Sequence, residues 1–349
     1  MDVKSIPCTD QSALASRGIF YVGGEFVTED GKTRAHGQMF VEKYVPRQVT
    51  HPWPIVMFHG AGQTNVNWLT TPDGRMGWAD WFVAHGWIVY LAEQPARGRS
   101  AYHREDDGER MRHSFEDLKK RFLGSSGGWP QSKLHTQWPE GEEAERQFLL
   151  SQVEYLNSNK ASQERVLAAA GDLLAHTGPA VLLTHSQAGP FGWLIADRYP
   201  ELVKGVVALE PSGPPFSAKL DAAAPKNFGI ADLPLHYEPF ADSPDEIELE
   251  ILRSQTSDLS DGWVMKEPAR RLPHLNGIPI LLLCSESSYH AQYDHLTSYV
   301  LSQAGVAHDF VRLEDVGIHG NGHMMMLEKN NLDIAAWIGH WLETHAEKQ

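Results

Sequence analysis

Cysteine is nearly missing from this 349-residue chain, where only Cys8 and Cys284 occur. Two thiols cannot build a disulfide framework, so the fold has to be held by an apolar core. Cys284 closes an apolar run and reads as a buried thiol. Long hydrophobic runs are lacking too, and no stretch approaches the length that spans a bilayer. Residues 1–16 show no basic start followed by an apolar segment, so the pattern of a signal peptide is absent. The location expected on that ground is cytoplasmic, with a trimmed export signal as the alternative. Positive charge is in short supply: 30 Lys and Arg stand against 45 Asp and Glu, a formal net charge of −15 at pH 7. That balance argues against nucleic acid or an anionic membrane as the main partner and otherwise reads as solubility. There is no internal repeat and no low-complexity segment.

What the chain does have is an ordinary globular composition, 42% hydrophobic and 21% charged, and enough length for one elaborated α/β domain. Residues 19–27 read as a strand pair with a Gly-Gly turn, and 37–46 as an alternating strand. Buried strands follow at 54–58, 87–91, 179–184, 204–209, 278–284 and 308–313. Helices are expected at 77–85, 162–176 (N-cap Ser162), 191–199, 290–304 and 331–345. Strands alternating with helices give a mainly parallel, doubly wound sheet, here with an antiparallel opening. Two irregular stretches interrupt the rhythm. The expected division is a core of 1–100, an insertion of 101–160, a core of 161–211, a second insertion of 212–275 and a core of 276–349. The two insertions are expected to form a cap. Trp129, Trp138 and Phe216 are then candidates to line an apolar or aromatic pocket. The plain alternative is surface excursions whose aromatics pack on the body.

The stretch around Ser186 carries the chemistry. A short apolar strand ends in His185-Ser186-Gln187 and passes almost without a loop into a helix. So tight a strand-to-helix turn pushes the serine hydroxyl out at the helix N-terminus, the geometry of a nucleophile elbow. The usual Gly-x-Ser-x-Gly is here Thr184-His185-Ser186-Gln187-Ala188, with Gly189 one place late. An ordinary helix N-cap serine is the alternative. The loop after 54–58, His59-Gly60-Ala61-Gly62-Gln63, can present backbone N–H groups to an anion. Ala61 and Gln187 are the candidate oxyanion donors, with Gly60 beside the substrate.

A base should follow the last strand, where His319 and His323 both occur in 317–323. His323 is preferred because it follows the flexible Gly320-Asn321-Gly322. The glycines also argue against the helix that an i, i+4 histidine metal site needs, so no metal and no cofactor is expected. For the acid, Glu286 or Asp294 follows the penultimate strand, and Glu210 ends the strand before it. Each is placed to orient an imidazole, and the residues alone leave the choice open.

Several long motifs resemble a known group. They are the run 70–78 (Thr-Thr-Pro-Asp-Gly-Arg-Met-Gly-Trp), Gly98-Arg99-Ser100, His185-Ser186-Gln187, the run 319–326 (His-Gly-Asn-Gly-His-Met-Met-Met) and Asn330-Asn331-Leu332. Together they are similar to the Alcaligenes-type bacterial esterases of the α/β-hydrolase superfamily, over a span from about Ile19 to the C-terminus. The resemblance implies the α/β-hydrolase fold, Ser186 as nucleophile, His323 as base and, in Leu209-Glu210-Pro211-Ser212-Gly213, Glu210 as acid. Those esterases carry a tandem cysteine pair just after the His-Gly of the oxyanion loop. Here Ala61-Gly62 stands in its place, and any role of that pair is absent. They are also exported and dimeric. Neither property is carried over, though a homodimer stays among the alternatives.

The function expected is hydrolysis of a small carboxylic ester or lactone through an acyl-enzyme. Carbon–carbon bond hydrolysis or acyl transfer with the same triad is the nearest rival. A non-catalytic binding protein on the same scaffold is the rival of another class.

Overall fold

The computed structural model describes residues 7–124, 127–216 and 227–347. Residues 1–6 of the N-terminal stretch, Ser125 and Ser126 of the 124–128 run, 217–226 of the second insertion, and 348–349 lie outside the described residues. The frame is an eight-stranded sheet of β1 (Leu14–Glu29), β2 (Lys32–Pro46), β3 (Ile55–Phe58), β4 (Val89–Glu93), β5 (Ala180–His185), β6 (Val203–Leu209), β7 (Ile280–Cys284) and β8 (Asp309–Arg312). Their order across the sheet is β1-β2-β4-β3-β5-β6-β7-β8. β1, β2 and β4 pair antiparallel, and every pair from β4/β3 to β7/β8 is parallel. The parallel strands are short apolar runs such as Ile55-Val56-Met57-Phe58 because helices cover both of their faces.

On one face lie α1 (Trp78–Ala84) and α7 (Asn331–His345), with α2 (Phe115–Phe122) and α3 (Glu142–Leu150) of the first insertion. Trp78, Phe82, Leu118, Phe148, Ile334 and Ile338 pack there against Ile55, Met57, Leu183 and Leu281. On the other face lie α4 (Asn159–Thr177), α5 (Gly189–Arg198) and α6 (Asp294–Gln303). Val166, Leu173, Phe191, Ile195 and Leu296 pack there against Val56, Phe58, Leu182 and Val206. The two cores make the expected doubly wound sheet. No helix among the described residues is long and apolar enough to cross a membrane.

Three local readings change. Gly23-Gly24 is not a turn: β1 runs through it, and the reversal into β2 comes at Asp30-Gly31, both at positive φ. The glycine serves close packing instead, because a Cβ on Gly23 would lie 2.6 Å from the Ala169 Cβ of α4. The cap of α4 is Ser158, which accepts from the Ala161 N–H; Ser162 is buried within the first turns. The stretch expected as one helix over 290–304 is a short 3-10 turn (Tyr289–Gln292) followed by α6.

The second insertion also differs from the expected half-cap. Phe216, Phe228, Leu235 and Tyr237 are buried with the core around α4, α5 and α6. The two-stranded ribbon Leu249–Leu252/Gly262–Met265 packs on α6 through Gly262 and Leu296. Phe216, Phe228, Leu235 and Tyr237 extend the core, while Ser212 and Gly213 at the start of the stretch line the cavity at Ser186.

Candidate active site

Ser186 sits at φ +55°, directly after β5, as the first residue of a one-turn 3-10 helix (Ser186–Ala188) that leads into α5. A non-glycine residue in this region is strained, and such strain is the mark of an elbow. Its surroundings explain the small residues. A Cβ on Gly189 would lie 2.2 Å from the Pro211 Cβ, and one on Gly60 would lie 2.9 Å from His185 Nδ1 and 3.1 Å from the Ser186 Cβ. The Gly60 backbone therefore passes directly against the serine, and the late glycine of the motif is needed for the approach of the loop after β6. Gln187 is the second residue of the Ser186–Ala188 3-10 turn, so its N–H is among the first-turn donors that have no helical carbonyl before them.

His323 Nδ1 lies 2.5 Å from Glu210 Oε2, with both side chains buried. The imidazole is clamped between His290, stacked at 4.8 Å, and Phe122 of α2, stacked at 5.3 Å. His185 Nε2 donates to the His323 carbonyl at 3.0 Å, tying the elbow to the histidine loop. Glu328 holds that loop from behind through the Gly322 N–H (2.9 Å), the Asn321 amide (2.8 Å) and His135 (2.7 Å).

Glu210 stands at φ +43° just past β6, and its carboxylate accepts from the Ser285 N–H at 2.7 Å and the Ser288 hydroxyl at 2.6 Å. Burial pushes its carboxyl up to about 8, against the pull of His290, Ser288 and Ser285. Burial also holds the His323 imidazole well below its ordinary 6.5, with His185, His290 and Arg121 adding to the shift. His290 falls to about 4 for the same first reason.

The alternative site residues are drawn elsewhere. Asp294 Oδ1 pairs with His290 Nδ1 at 2.9 Å. Glu286 pairs with His319 Nδ1 at 3.2 Å and accepts from the Gly320 N–H at 2.7 Å, so the fallback acid and fallback base meet one another. His319 is 62% exposed, whereas His323 is 2% exposed and turned to Glu210.

Ser186, Ala61 and Gln187 line one cavity of 280 Å³ together with Arg121, His113, Tyr155, Asn157, Asn159, Tyr289 and Tyr293. Trp129, Trp138 and Phe216, the expected pocket residues, do not line it. Trp129 spends its N–H on the Ser287 carbonyl at 2.9 Å, Trp138 packs edge-on to Phe148 at 5.1 Å, and Phe216 is core. A larger hollow of 710 Å³ lies between α3 and the Thr70–Gly74 loop and touches none of the residues around Ser186.

Arg97, Arg121 and Tyr289 were not singled out from the sequence. Arg97 is buried and ties the oxyanion loop to the elbow. Its guanidinium donates to the Gly60 carbonyl (3.2 Å), the Gln63 carbonyl (3.0 Å) and Gln187 Oε1 (3.2 Å). Its only sequence signal is its place in the polar loop after β4. Tyr289 carries its hydroxyl 3.3 Å from His323 Nε2 and accepts from Arg121 at 2.7 Å.

The comparisons agree with this architecture. No family model matches the chain. It is 42% identical over 332 residues to the probable secreted lipase phiG of a fungal species (strain ATCC 74256), covering 93% of this chain and 88% of that one. A solved structure described as a novel bacterial esterase shares its fold, with a TM-score of 0.69, 23% identity, and coverage of 99% of this chain and 100% of that one. The cytoplasmic expectation is corrected: the 42% identical relative is described as a probable secreted lipase. That expectation rested on a missing leader pattern, and two cysteines are compatible with either compartment. Identity of this extent, joined to the sheet order and the elbow, leads to one statement: the chain belongs to the α/β-hydrolase family of esterases and lipases that includes this relative.

Proposed function

We propose that the protein hydrolyses carboxylic esters through an acyl-enzyme on Ser186, with His323 as general base and acid and Glu210 as the carboxylate that orients it. An ester hydrolase is what its family membership supports; the assignment of roles is our reading. The observations that carry it are a strained Ser186 on the cavity wall and a clamped His323 imidazole bound to buried Glu210, with the Tyr289 hydroxyl of the same cavity against His323 Nε2.

His323 Nε2 takes the Ser186 proton as Oγ attacks the carbonyl carbon. Glu210 holds the Nδ1–H tautomer and balances the imidazolium that forms. The Ala61 and Gln187 N–H groups receive the tetrahedral oxyanion, each worth about 3–4 kcal/mol in such sites. His323 then returns its proton to the leaving alkoxide, and water attacks the acyl-enzyme by the same steps. Arg97 acts through others here: by pinning the Gly60 and Gln63 carbonyls it aims the Ala61 N–H.

Turnover of p-nitrophenyl acetate, with a fluorophosphonate adduct mapped by mass spectrometry to Ser186, is the expected result. Turnover with the adduct elsewhere overturns the nucleophile. Neither turnover nor adduct favours a binding protein.

The pH dependence follows from burial. The active pair is ionised Glu210 with neutral His323, one negative charge in a wholly buried place. Burial keeps His323 neutral on its own account, so the limiting ionisation is that of Glu210, raised to about 8. A plot of kcat/KM against pH should rise along a limb with an apparent pKa above 6.5 and toward 8. A limb below 5.5 would show that burial does not set it. The stability linkage has the opposite sense. A carboxyl raised above 4.5 stabilises the fold most below that value, and its contribution is lost as pH rises toward 8.

A further inference from the structure

We propose that the ester taken by this site carries a free carboxylate, or an anion of like size, within a few bonds of the scissile carbonyl, and that Arg121 receives it. This deepens the assignment of Ser186 as nucleophile and rests on it.

The first ground is the lining of the cavity. Around Ser186 it presents the guanidinium of Arg121, His113, Asn157 and Asn159, and the rings and hydroxyls of Tyr289 and Tyr293. Met111 is its only large aliphatic side chain, and neither Asp nor Glu is among the described residues that line it. A site for a long acyl chain would be mostly aliphatic. This one is polar and cationic, in a chain whose formal net charge is −15.

The second ground is the state of Arg121 itself. Arg17, Arg75, Arg99, Arg110, Arg165 and Arg253 each meet a carboxylate. Arg121 meets none among the described residues. Its hydrogen bond goes to the Tyr289 hydroxyl at 2.7 Å, and its guanidinium lies over the Tyr289 ring (4.6 Å) and the Phe122 ring (5.2 Å). A guanidinium has five N–H donors in a fork that fits a carboxylate edge. One is engaged among the described residues, and Arg121 lines the cavity. The two aromatic rings flank the guanidinium and hold it in place.

The third ground is distance. The Tyr289 hydroxyl bridges Arg121 to His323 Nε2 through contacts of 2.7 Å and 3.3 Å. The guanidinium is therefore within about two hydrogen-bond lengths of the general base. An anion held there sits a few bonds from a carbonyl under attack by Ser186. Half-esters of short dicarboxylic acids, and short hydroxy acids acylated on the hydroxyl with the carboxylate left free, have this spacing. Methyl esters of simple fatty acids do not fill it.

The test compares two substrates of nearly one shape, monomethyl succinate and the neutral methyl 4-oxopentanoate, with the full chain at low salt. The wild type should show kcat/KM at least tenfold higher for the anion, and the preference should shrink in 0.5 M salt. Arg121→Gln should lower the ratio of the two kcat/KM values at least tenfold, chiefly through KM of the anionic ester. Arg121→Lys should keep part of the preference, because it keeps the charge and loses the fork. Equal or inverted preference in the wild type overturns the proposal, and so does an unchanged ratio in folded Arg121→Gln. Should Arg121→Gln fail to fold, the wild-type ratio and the lysine variant still decide. Turnover of p-nitrophenyl acetate without anion preference sinks this inference alone. Absence of both turnover and a Ser186 adduct sinks the nucleophile assignment beneath it.

Discussion

Ser186→Ala should lose about 10⁵–10⁶-fold in kcat on p-nitrophenyl acetate, the scale seen when a nucleophile is removed from a working triad. The variant should still exceed the uncatalysed rate, because the Ala61 and Gln187 N–H groups and the cavity remain. Its fold should be intact. Ser186 is at φ +55° in either case, the hydroxyl faces a cavity, and no packed volume is lost. Chemical denaturation should place the variant within about 1 kcal/mol of the wild type. The combination is diagnostic: a rate lost without stability removes a reacting group, whereas parallel losses would mean that the elbow itself had come apart. Retention of more than about a hundredth of the wild-type rate would defeat the assignment.

The second large effect concerns Glu210→Gln. The amide oxygen can still accept from the Ser285 N–H, and the amide nitrogen can meet His323 Nδ1 or the Ser288 hydroxyl. The geometry survives, but Nδ1 now accepts and the imidazole proton moves to Nε2. That is the tautomer that cannot take a proton from Ser186. A loss of about 10⁴-fold in kcat is expected, as for the corresponding change in other triads. At pH 8.5 the variant should be no less stable than the wild type, because it no longer buries an ionised carboxylate whose folded-state value is raised to about 8. Thermal melts at pH 5 and pH 8.5 check this. Glu286→Gln provides the control: its carboxylate serves His319 and Gly320, so turnover should change little. If Glu286→Gln lost activity and Glu210→Gln kept it, the acid would be misassigned.

What the sequence determined by itself was everything that repeats locally or sits next to itself along the chain. Runs such as Ile55–Phe58 and Ile280–Cys284 are apolar on both faces and have no other role than an interior parallel strand. The turn at Ser186 is legible because strand, serine and helix follow one another within a few residues. The stop signals at Asp30-Gly31 and the spacing of Gly23-Gly24 look alike on paper, and only the packing of Ala169 tells a reversal from a close approach.

Which ionisable groups meet is not written in the residues themselves: only the family resemblance favoured Glu210, and the tertiary structure brings it to His323. Glu210, Glu286 and Asp294 all follow buried strands, and composition does not rank them. Sheet order places Glu210 beside His323, 113 residues away, and sends Glu286 to His319. The location expectation read from the N-terminus is contradicted by a relative described as secreted, since a folded core carries no mark of the compartment. The pocket was the least legible part. Tryptophan content suggested an aromatic lining, yet Trp129 and Trp138 are consumed by packing and one backbone hydrogen bond. In the run Lys119-Lys120-Arg121 the charges are equivalent in sequence. The helical turn of α2 buries Leu118 and Phe122 and carries Arg121 with them to the cavity. Charge selection in the site therefore comes from the docking of one short helix. Long-range contacts of that kind are set by the shape of the whole core and leave no periodic trace in the chain.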